Sequence, residues 1–454
     1  MEIKELAAAQ RAWFDSGKTL PVSARVAALE KLRAGIRRYE PKIAAALKAD
    51  LNKAPMESYM TETGLVLDEV GYLIKMTPKW AGERRVPTPL AQFKSVSFIH
   101  PEPYGSVLVM APWNYPFMLA LEPAAGAIAA GNCVILKPSA YAAETSKVLG
   151  ELIGELFDPG FVAVVQGGRT ENAALLDEKF DYIFFTGGTQ VGRLVLEKAA
   201  AHFTPVTLEM GGKSPCIVDK TADIRLCARR LAFGKFLNAG QTCVAPDYVL
   251  VHRARKRELV AQLQRSVTAF FGPRPLECGD YPKIINEKHF KRLLGLMEGT
   301  HILIGGEAGG GRIAPTVLDG VTGESPVMCE EIFGPILPIL EFDELDEAIA
   351  FVKARPRPLA LYLFTNDRAA ERKVLDRVSF GGGCVNDCVV HLATHHMPFG
   401  GVGGSGMGGY HGKASFDTFS HRKSILKKAN WLDLPMRYHP YTRGKFRIIR
   451  QFLR

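Results

Sequence analysis

The sequence is poor in cysteine, with only eight among 454 residues. That number is too small for a disulfide scaffold in a chain of this length, so we expect free thiols and a reducing, cytoplasmic location. The sequence also lacks long apolar runs. Its first twenty residues carry charges throughout, and the strongest later run is interrupted by Glu122 and Pro123. We therefore expect neither a secretion signal nor a membrane span.

An excess of positive charge is absent from most of the chain. The net charge is +10, but the segment from His421 to Arg454 holds ten Lys or Arg and one Asp, which leaves +1 for the remainder. Such a balance predicts no nucleic-acid-binding surface. Metal-ligand spacing is lacking too, because His395-His396 and the Cys384-x-x-x-Cys388 pair have no partner ligands at suitable intervals, so we predict no metal.

Apolar periodicity divides the rest of the chain. Residues 2–80 show helical spacing, as in Val22–Tyr39 and Met56–Trp80. From Ser106 to Glu209, short apolar runs alternate with helical stretches, and a similar alternation follows up to Thr394. Strands that alternate regularly with helices predict parallel sheets with crossover helices, and thus two α/β lobes with a cleft between them.

Three short segments carry chemically useful side chains. Cys243 stands between small residues and a proline-limited turn, Glu209 ends an apolar strand before two glycines, and Asn114 lies between two prolines after another strand. Each has an ordinary alternative: a buried thiol, a surface charge and an Asn turn, respectively. Together they indicate one mechanism, in which a thiolate adds to an aldehyde, an amide and a backbone N–H stabilise the oxyanion, and a carboxylate activates water against the thioester.

These segments closely resemble the signature motifs of the aldehyde dehydrogenase superfamily, including the interval of 34 residues between Glu209 and Cys243. The class 3 branch is the most similar, on the evidence of Gly-Gln-Thr-Cys243-Val-Ala-Pro-Asp-Tyr248 and the segment from Tyr410 to His421. The resemblance implies two Rossmann-like three-layer lobes with a small β bridging element. It also implies a homodimer that oxidises medium- or long-chain aliphatic or aromatic aldehydes.

The resemblance assigns roles as well. Cys243 is the expected nucleophile, Glu209 the general base, and Asn114 with the Cys243 backbone N–H the oxyanion hole. Relatives that pass the acyl group to coenzyme A generally lack this base, so hydrolysis to a free acid is favoured. A catalytically silent binding or structural homologue is the alternative, but it would be expected to have lost one of these three residues.

A nicotinamide cofactor site is expected on the first lobe. The segment from Phe185 through Thr186 and Gly187 to Gly192 follows an apolar strand and opens a helix, where N–H groups and the helix dipole can receive a pyrophosphate. The G-x-G-x-x-G matches between Gly401 and Gly409 lack a following apolar helix, so we expect them to be structural.

Further cofactor contacts rest on resemblance. Lys137 matches a lysine that reaches the adenine ribose, and Glu331 and Phe333 match residues that hold the nicotinamide ribose and ring. Relatives often carry a glutamate at the position of Ala140 to bind the 2′-hydroxyl. Its absence relieves repulsion against a 2′-phosphate, so we expect use of both NAD and NADP.

The expected domains follow from these assignments. Residues 1–82 and 104–210 form the cofactor-binding domain, 211–394 the catalytic domain, and 83–103 with 395–454 the bridging segments. The basic tail ends in a short stretch in which Phe446 and Ile449 could share one helical face. It either packs on its own dimer or makes weak peripheral contact with an anionic membrane.

Overall fold

A computed structural model describes residues 2–453. The helices are α1 Ile3–Asp15, α2 Val22–Leu51, α3 Pro55–Ser58, α4 Gly64–Trp80, α5 Met118–Ala130, α6 Ala143–Leu156, α7 Arg169–Asp177, α8 Thr189–Ala200, α9 Ile224–Phe236, α10 Lys256–Phe271, α11 Glu287–Met297, α12 Pro326–Cys329, α13 Leu345–Lys353, α14 Arg368–Arg377, α15 Lys413–Thr418 and α16 Arg443–Phe452.

The strands are β1 Arg84–Val86, β2 Ser95–Pro103, β3 Ser106–Met110, β4 Cys133–Lys137, β5 Val162–Val164, β6 Tyr182–Thr186, β7 Val206–Glu209, β8 Pro215–Val218, β9 Tyr248–His252, β10 His301–Ile304, β11 Ala308–Gly309, β12 Arg312–Ile313, β13 Thr316–Asp319, β14 Ile336–Phe342, β15 Ala360–Phe364, β16 Gly382–Val385, β17 Gly406–Met407 and β18 Ser420–Lys428.

The first lobe is built on a six-stranded sheet with the order β17-β7-β6-β3-β4-β5. All neighbours are parallel except β17, which pairs antiparallel with β7. Every residue of β3, β4 and β6 is buried. Helices cover both faces of such a sheet, which explains why these strands read as continuous apolar runs rather than as alternating ones.

The second lobe has a seven-stranded sheet with the order β10-β13-β14-β9-β8-β15-β16. Only β10 is antiparallel to its neighbour. Two apolar clusters lie on this sheet, around residues such as Val249 and Leu250, whose side chains alternate between its faces. The expectation of two α/β lobes is confirmed.

A third, antiparallel sheet joins β1, β2 and β18. Strand β18 pairs with β2 along its whole length, from Ser420 opposite Pro103 to Lys428 opposite Ser95. This small sheet lies where the β bridging element is expected. One boundary differs from the sequence-based division: β17 lies within 395–454 but completes the sheet of the first lobe.

Two expected helices differ in extent. The helix that begins at Val22 continues to Leu51 with Pro41 inside it, because Ile43, Leu47 and Leu51 keep one face fully buried beyond the proline. The stretch Met56–Trp80 is not one continuous α-helix, since a π-helical turn spans Tyr59–Thr63. A π turn shifts the side chains that follow it around the helix axis and is frequent at functional sites.

Candidate active site

The carboxyl ends of neighbouring parallel strands place the first set of polar residues. Strand β6 ends at Thr186, β7 ends at Glu209, and Asn114 follows the end of β3 after a short loop. These strands are neighbours in the parallel part of the sheet, so their carboxyl ends meet at one edge. All three residues line a cavity of about 340 Å³ between the lobes, together with Cys243 of the second lobe.

The loop before Cys243 has an unusual backbone. Asn238 and Ala239 both have a φ of 50°, and Gly240 has a φ of 74°. A Cβ on Gly240 would lie 2.2 Å from the carbonyl oxygen of Gly334, so only glycine fits there. This tightly folded loop brings the partly exposed Cys243 thiol to the cavity wall.

The charge state of Cys243 is set by burial and by nearby carboxylates. The pKa of the thiol is raised to about 12, mainly by burial and in the same direction by the charges of Glu331 and Glu209. The backbone N–H groups of Cys243 and Val244 act in the opposite sense. With its pKa raised in this way, the Cys243 sulfur holds its proton at neutral pH.

Glu209 is a buried carboxyl group without partners. Its side chain is 3% exposed, and neither carboxyl oxygen has a hydrogen-bond partner. Burial raises its pKa well above the ordinary value for a glutamate. A group of this kind can take up a proton at neutral pH or above and can bind a water molecule that enters the cavity.

Asn114 is fixed from both ends. Its side-chain Nδ2 donates to the carbonyl oxygen of Gln241 at 3.0 Å. Its own carbonyl oxygen accepts from Lys53 Nζ at 2.9 Å and from Asn238 Nδ2 at 2.8 Å. The amide therefore has a single orientation beside the loop that carries Cys243.

The other end of the cavity suits an anionic group and a flat ring. Gly187 and Gly188 precede α8, a helix whose N-terminus has no side-chain cap, so its first N–H groups are free for an anion. Phe333 lies edge to face with Trp113 at 5.3 Å, and both rings line the cavity. Glu331 adds a buried Oε1 without a partner, which can accept from a hydroxyl group. These residues fit a nicotinamide dinucleotide.

Nine residues have a catalytic or cofactor-binding role predicted from the sequence. Seven of them line this one cavity: Asn114, Thr186, Gly187, Glu209, Cys243, Glu331 and Phe333. Gly192 lies within α8, where a Cβ would be 2.7 Å from the Met210 sulfur, so its position reflects close packing of the helix on the sheet. Lys137 is 3% exposed, and its Nζ donates to the carbonyl oxygens of Pro138 and Gly167, both at 2.8 Å.

The structure adds cavity residues that the motifs do not contain. His289 and Arg292 of α11 line the wall, and Arg292 donates to Glu330 Oε1 and to the carbonyl oxygen of Ile332. No local pattern distinguishes them from other polar residues on an amphipathic helix. Only the packing of α11 against the segment 330–333 brings them to the cleft.

A second cavity, of about 160 Å³, also borders Cys243, and we call it the apolar tunnel. Its wall is almost entirely apolar. The side chains come from both lobes and from the loop after β16, and they include Met118, Leu119, Phe233, Leu237, Val389, Val390 and Phe399. Cys243 borders both this tunnel and the cleft.

A polar cleft and an apolar tunnel that meet at one cysteine, between two α/β lobes, suit a dehydrogenase that acts on aldehydes. The sequence matches the aldehyde dehydrogenase family over residues 1–425. The chain belongs to this family, whose members use NAD or NADP, and it is an oxidoreductase that acts on the aldehyde group.

Relatives match over nearly the whole chain. One is the 4,4'-diaponeurosporen-aldehyde dehydrogenase of Staphylococcus aureus, 47% identical over 98% of this chain and 97% of the relative. Another is the dimeric NADP-preferring aldehyde dehydrogenase of Canis lupus familiaris, 45% identical over 97% of this chain and 98% of the relative. The substrate-bound structure of Staphylococcus aureus AldH superposes with a TM-score of 0.98 at 46% identity, covering 100% of both chains.

These relatives are dehydrogenases and give no support to a catalytically silent homologue. They also agree with the expected class 3 branch, since family 3 members are among them. Within residues 2–453, no helix is both long enough and apolar enough to cross a membrane.

Proposed function

We propose that the chain oxidises apolar aldehydes to carboxylic acids with NAD or NADP, through a thioester on Cys243. The position of Cys243 carries this proposal, because its thiol borders the polar cleft on one side and the apolar tunnel on the other. An aldehyde in the tunnel would present its carbonyl carbon to the sulfur. A cofactor in the cleft would lie on the other side of the same carbon.

The proposed steps use residues of both lobes. The Cys243 sulfur forms a bond to the carbonyl carbon and loses its proton to solvent, which gives a thiohemiacetal oxyanion. Asn114 Nδ2 and the Cys243 N–H stabilise the oxygen as it gains negative charge. When bound, the nicotinamide supplies the acceptor for the hydride that leaves this carbon. A thioester on Cys243 remains.

Hydrolysis then completes the reaction. Glu209 takes a proton from a water molecule, the resulting hydroxide adds to the thioester carbon, and the C–S bond breaks to release the acid. The unpartnered, buried oxygens of Glu209 support this role, because a water molecule would supply the hydrogen bond that they lack. The net change consumes one aldehyde, one oxidised cofactor and one water.

Intact-protein mass spectrometry tests this mechanism. After rapid acid quench, the protein mixed with oxidised cofactor and an aliphatic aldehyde should carry the mass of the acyl group, and the adduct should be absent from Cys243→Ala. An adduct that persists in Cys243→Ala, or turnover by that variant at the normal rate, would overturn the assignment. A panel of aldehydes of increasing chain length, followed by nicotinamide absorbance, then ranks the substrates that the apolar tunnel favours.

The proposal extends to dual cofactor use. Ala140 is exposed three residues beyond Lys137 and carries no carboxylate that would repel a 2′-phosphate. The name of the canine relative states a preference for NADP. Steady-state kinetics with both cofactors decide the matter, because a preference for NAD of a hundredfold or more, about 3 kcal/mol, would contradict dual use.

A homodimer is the proposed assembly. The third sheet ends in β18 and the seven-stranded sheet ends in β16, and each strand pairs on one side only among the described residues. Exposed strand edges favour pairing with another chain, and the canine relative is named as dimeric. Light scattering coupled to gel filtration should give twice the monomer mass, and a monomer at micromolar concentration would contradict the proposal.

We propose two alternatives for the basic tail: weak contact with anionic lipid, or packing on the rest of the protein. Helix α16 has exposed Phe446 and Ile448 among Arg443, Arg447 and Arg450, a composition typical of interfacial helices. Ile449 and Leu453 instead line a groove with Leu90 and Phe93, which favours packing of the tail on the bridging sheet. Flotation with phosphatidylserine vesicles, with and without residues 440–454, distinguishes the two, since equal flotation removes lipid contact.

A further inference from the structure

Lys53 and Glu62 form a fully buried ion pair near the active site. Both side chains are 0% exposed, and Lys53 Nζ donates to Glu62 Oε1. Lys53 follows the end of α2, and Glu62 lies in the π-helical turn Tyr59–Thr63. Neither residue lines the cleft or the tunnel, so neither would contact an aldehyde or a cofactor directly.

The pair holds the loop that follows β3. Lys53 Nζ also donates to the carbonyl oxygen of Asn114 at 2.9 Å and lies 3.9 Å from the centre of the Tyr115 ring. Glu62 Oε2 accepts from the backbone N–H groups of Phe117 at 2.9 Å and Met118 at 3.3 Å. One buried pair therefore fixes both the peptide of Asn114 and the start of α5.

The same peptide is tied to the loop of the second lobe. Asn238 Nδ2 donates to the carbonyl oxygen of Asn114 at 2.8 Å, and the Asn238 N–H donates to Glu57 Oε1 at 2.8 Å. The Asn114 side chain in turn donates to the carbonyl oxygen of Gln241, two residues before Cys243. The donors on Asn114 and on the Cys243 backbone thus belong to one connected network.

Stability alone is a poor explanation for this arrangement. Burial of two ions costs several kcal/mol each, and well-packed apolar residues of similar volume often serve as well or better. A charged pair does, however, define one geometry, because both partners need their hydrogen bonds to be complete. The network accounts for both oxygens of Glu62 and orients a single loop, the loop that carries Asn114.

We propose that Lys53 and Glu62 are positioning residues that act through Asn114, holding its amide where the oxyanion forms. The inference rests on the proposed function, in which Asn114 stabilises that oxyanion. A displacement of about 1 Å at such a donor can lower a rate roughly a hundredfold. Loss of the pair should therefore lower the rate of the chemical step and leave the affinity for the cofactor unchanged.

A double-mutant cycle tests the inference. Lys53→Met removes the charge and the donor at similar length, and it is made in the native and in the Asn114→Ala background. Two rates are measured: the pre-steady-state hydride transfer with saturating cofactor, and the cofactor-independent hydrolysis of 4-nitrophenyl acetate. Lys53→Met alone should lower both rates about 10- to 100-fold, with an unchanged KM for the cofactor. In the Asn114→Ala background, the further loss should be less than about threefold.

Two further variants separate positioning from general weakening of the fold. Lys53→Gln keeps an N–H donor without a charge, should lose less activity than Lys53→Met, and serves if the latter does not fold. Arg25→Met is the matched control, because Arg25 is another buried cation that donates to backbone carbonyls, of Thr19 and Ala130. It should lower the melting temperature and leave both rates unchanged.

The outcomes are distinguishable. An equal loss from Lys53→Met in both backgrounds, or no loss in either, would overturn the positioning role and leave the proposed function intact. If Asn114→Ala by itself retains the native rates, the oxyanion role of Asn114 fails, which is a result against the proposed function.

Discussion

Two sets of buried carboxyl groups near Cys243 differ in their partners. Glu62 has both oxygens occupied, by Lys53 and by two backbone N–H groups. Glu209 has neither oxygen occupied, and Glu331 lacks a partner for Oε1. Burial raises the pKa of all three. The fold thus provides every hydrogen bond for Glu62, which contacts the loop after β3. It leaves unpartnered oxygens on the two carboxyl groups that line the cleft, where water or a ligand can bind them.

We expect the largest effect from substitution of Glu209, whose carboxyl oxygens have no partners. Glu209→Gln keeps the shape of the side chain but removes the base, so thioester hydrolysis should slow by about 10²- to 10⁴-fold. Rapid-quench kinetics should show a burst of reduced cofactor followed by slow turnover, with accumulation of acyl-enzyme. Glu331→Gln is the control, because it should retain fast hydrolysis of any acyl-enzyme that forms. Unchanged steady-state turnover in Glu209→Gln would contradict the role of base.

The rate of thioester hydrolysis should depend on pH through the ionisation of Glu209. In the proposed mechanism Glu209 acts as a base only when ionised, and burial raises its pKa well above the ordinary value. The hydrolysis rate should therefore rise about tenfold per pH unit below that pKa and level off above it. Single-turnover measurements from pH 5 to 9 record this slope, which Glu209→Gln should abolish. A rate that is flat across the range in the native protein would count against it.

Substitutions at the paired and at the unpartnered carboxyl group should change the free energy of unfolding in opposite directions. Lys53→Met leaves Glu62 buried without its cation and should lower the free energy of unfolding by about 3–5 kcal/mol. The raised pKa of Glu209 means that its ionisation favours the unfolded state as the pH rises above the ordinary value. Glu209→Gln should thus match the native melting temperature near pH 4 and exceed it at pH 8. Thermal unfolding at both pH values checks the two signs, and destabilisation by Glu209→Gln at pH 8 would refute the second.

We expect the smallest effect from substitution of Ala140, an exposed residue just after β4. Ala140→Glu introduces a carboxylate where a 2′-phosphate is expected, so the ratio of kcat/KM for NAD to that for NADP should rise about tenfold. Ala140→Gln, of the same size without charge, is the matched control and should change the ratio less. An unchanged ratio in Ala140→Glu would place the 2′-phosphate elsewhere.

Much of the fold was predictable because its signals are local. The apolar runs of β3, β4 and β6 mark buried parallel strands within the segment Ser106–Glu209, where strands were expected to alternate with helices. The limits of α2 and the π turn at Tyr59–Thr63 were not predictable. Pro41 suggests a break by its local chemistry, and only the burial of the following turns against the rest of the lobe overrides it.

The order of residues by itself determined the motifs around Cys243, Glu209 and Asn114, and with them the family and its chemistry. Tertiary structure alone decided which polar groups have partners. Lys53 and Asn114 lie 61 positions apart, and Asn114 and Gln241 lie 127 positions apart. The physical reason is that hydrogen bonds, burial and pKa depend on distances in space, which a short sequence window does not contain. The apolar tunnel likewise exists only where side chains from both lobes meet.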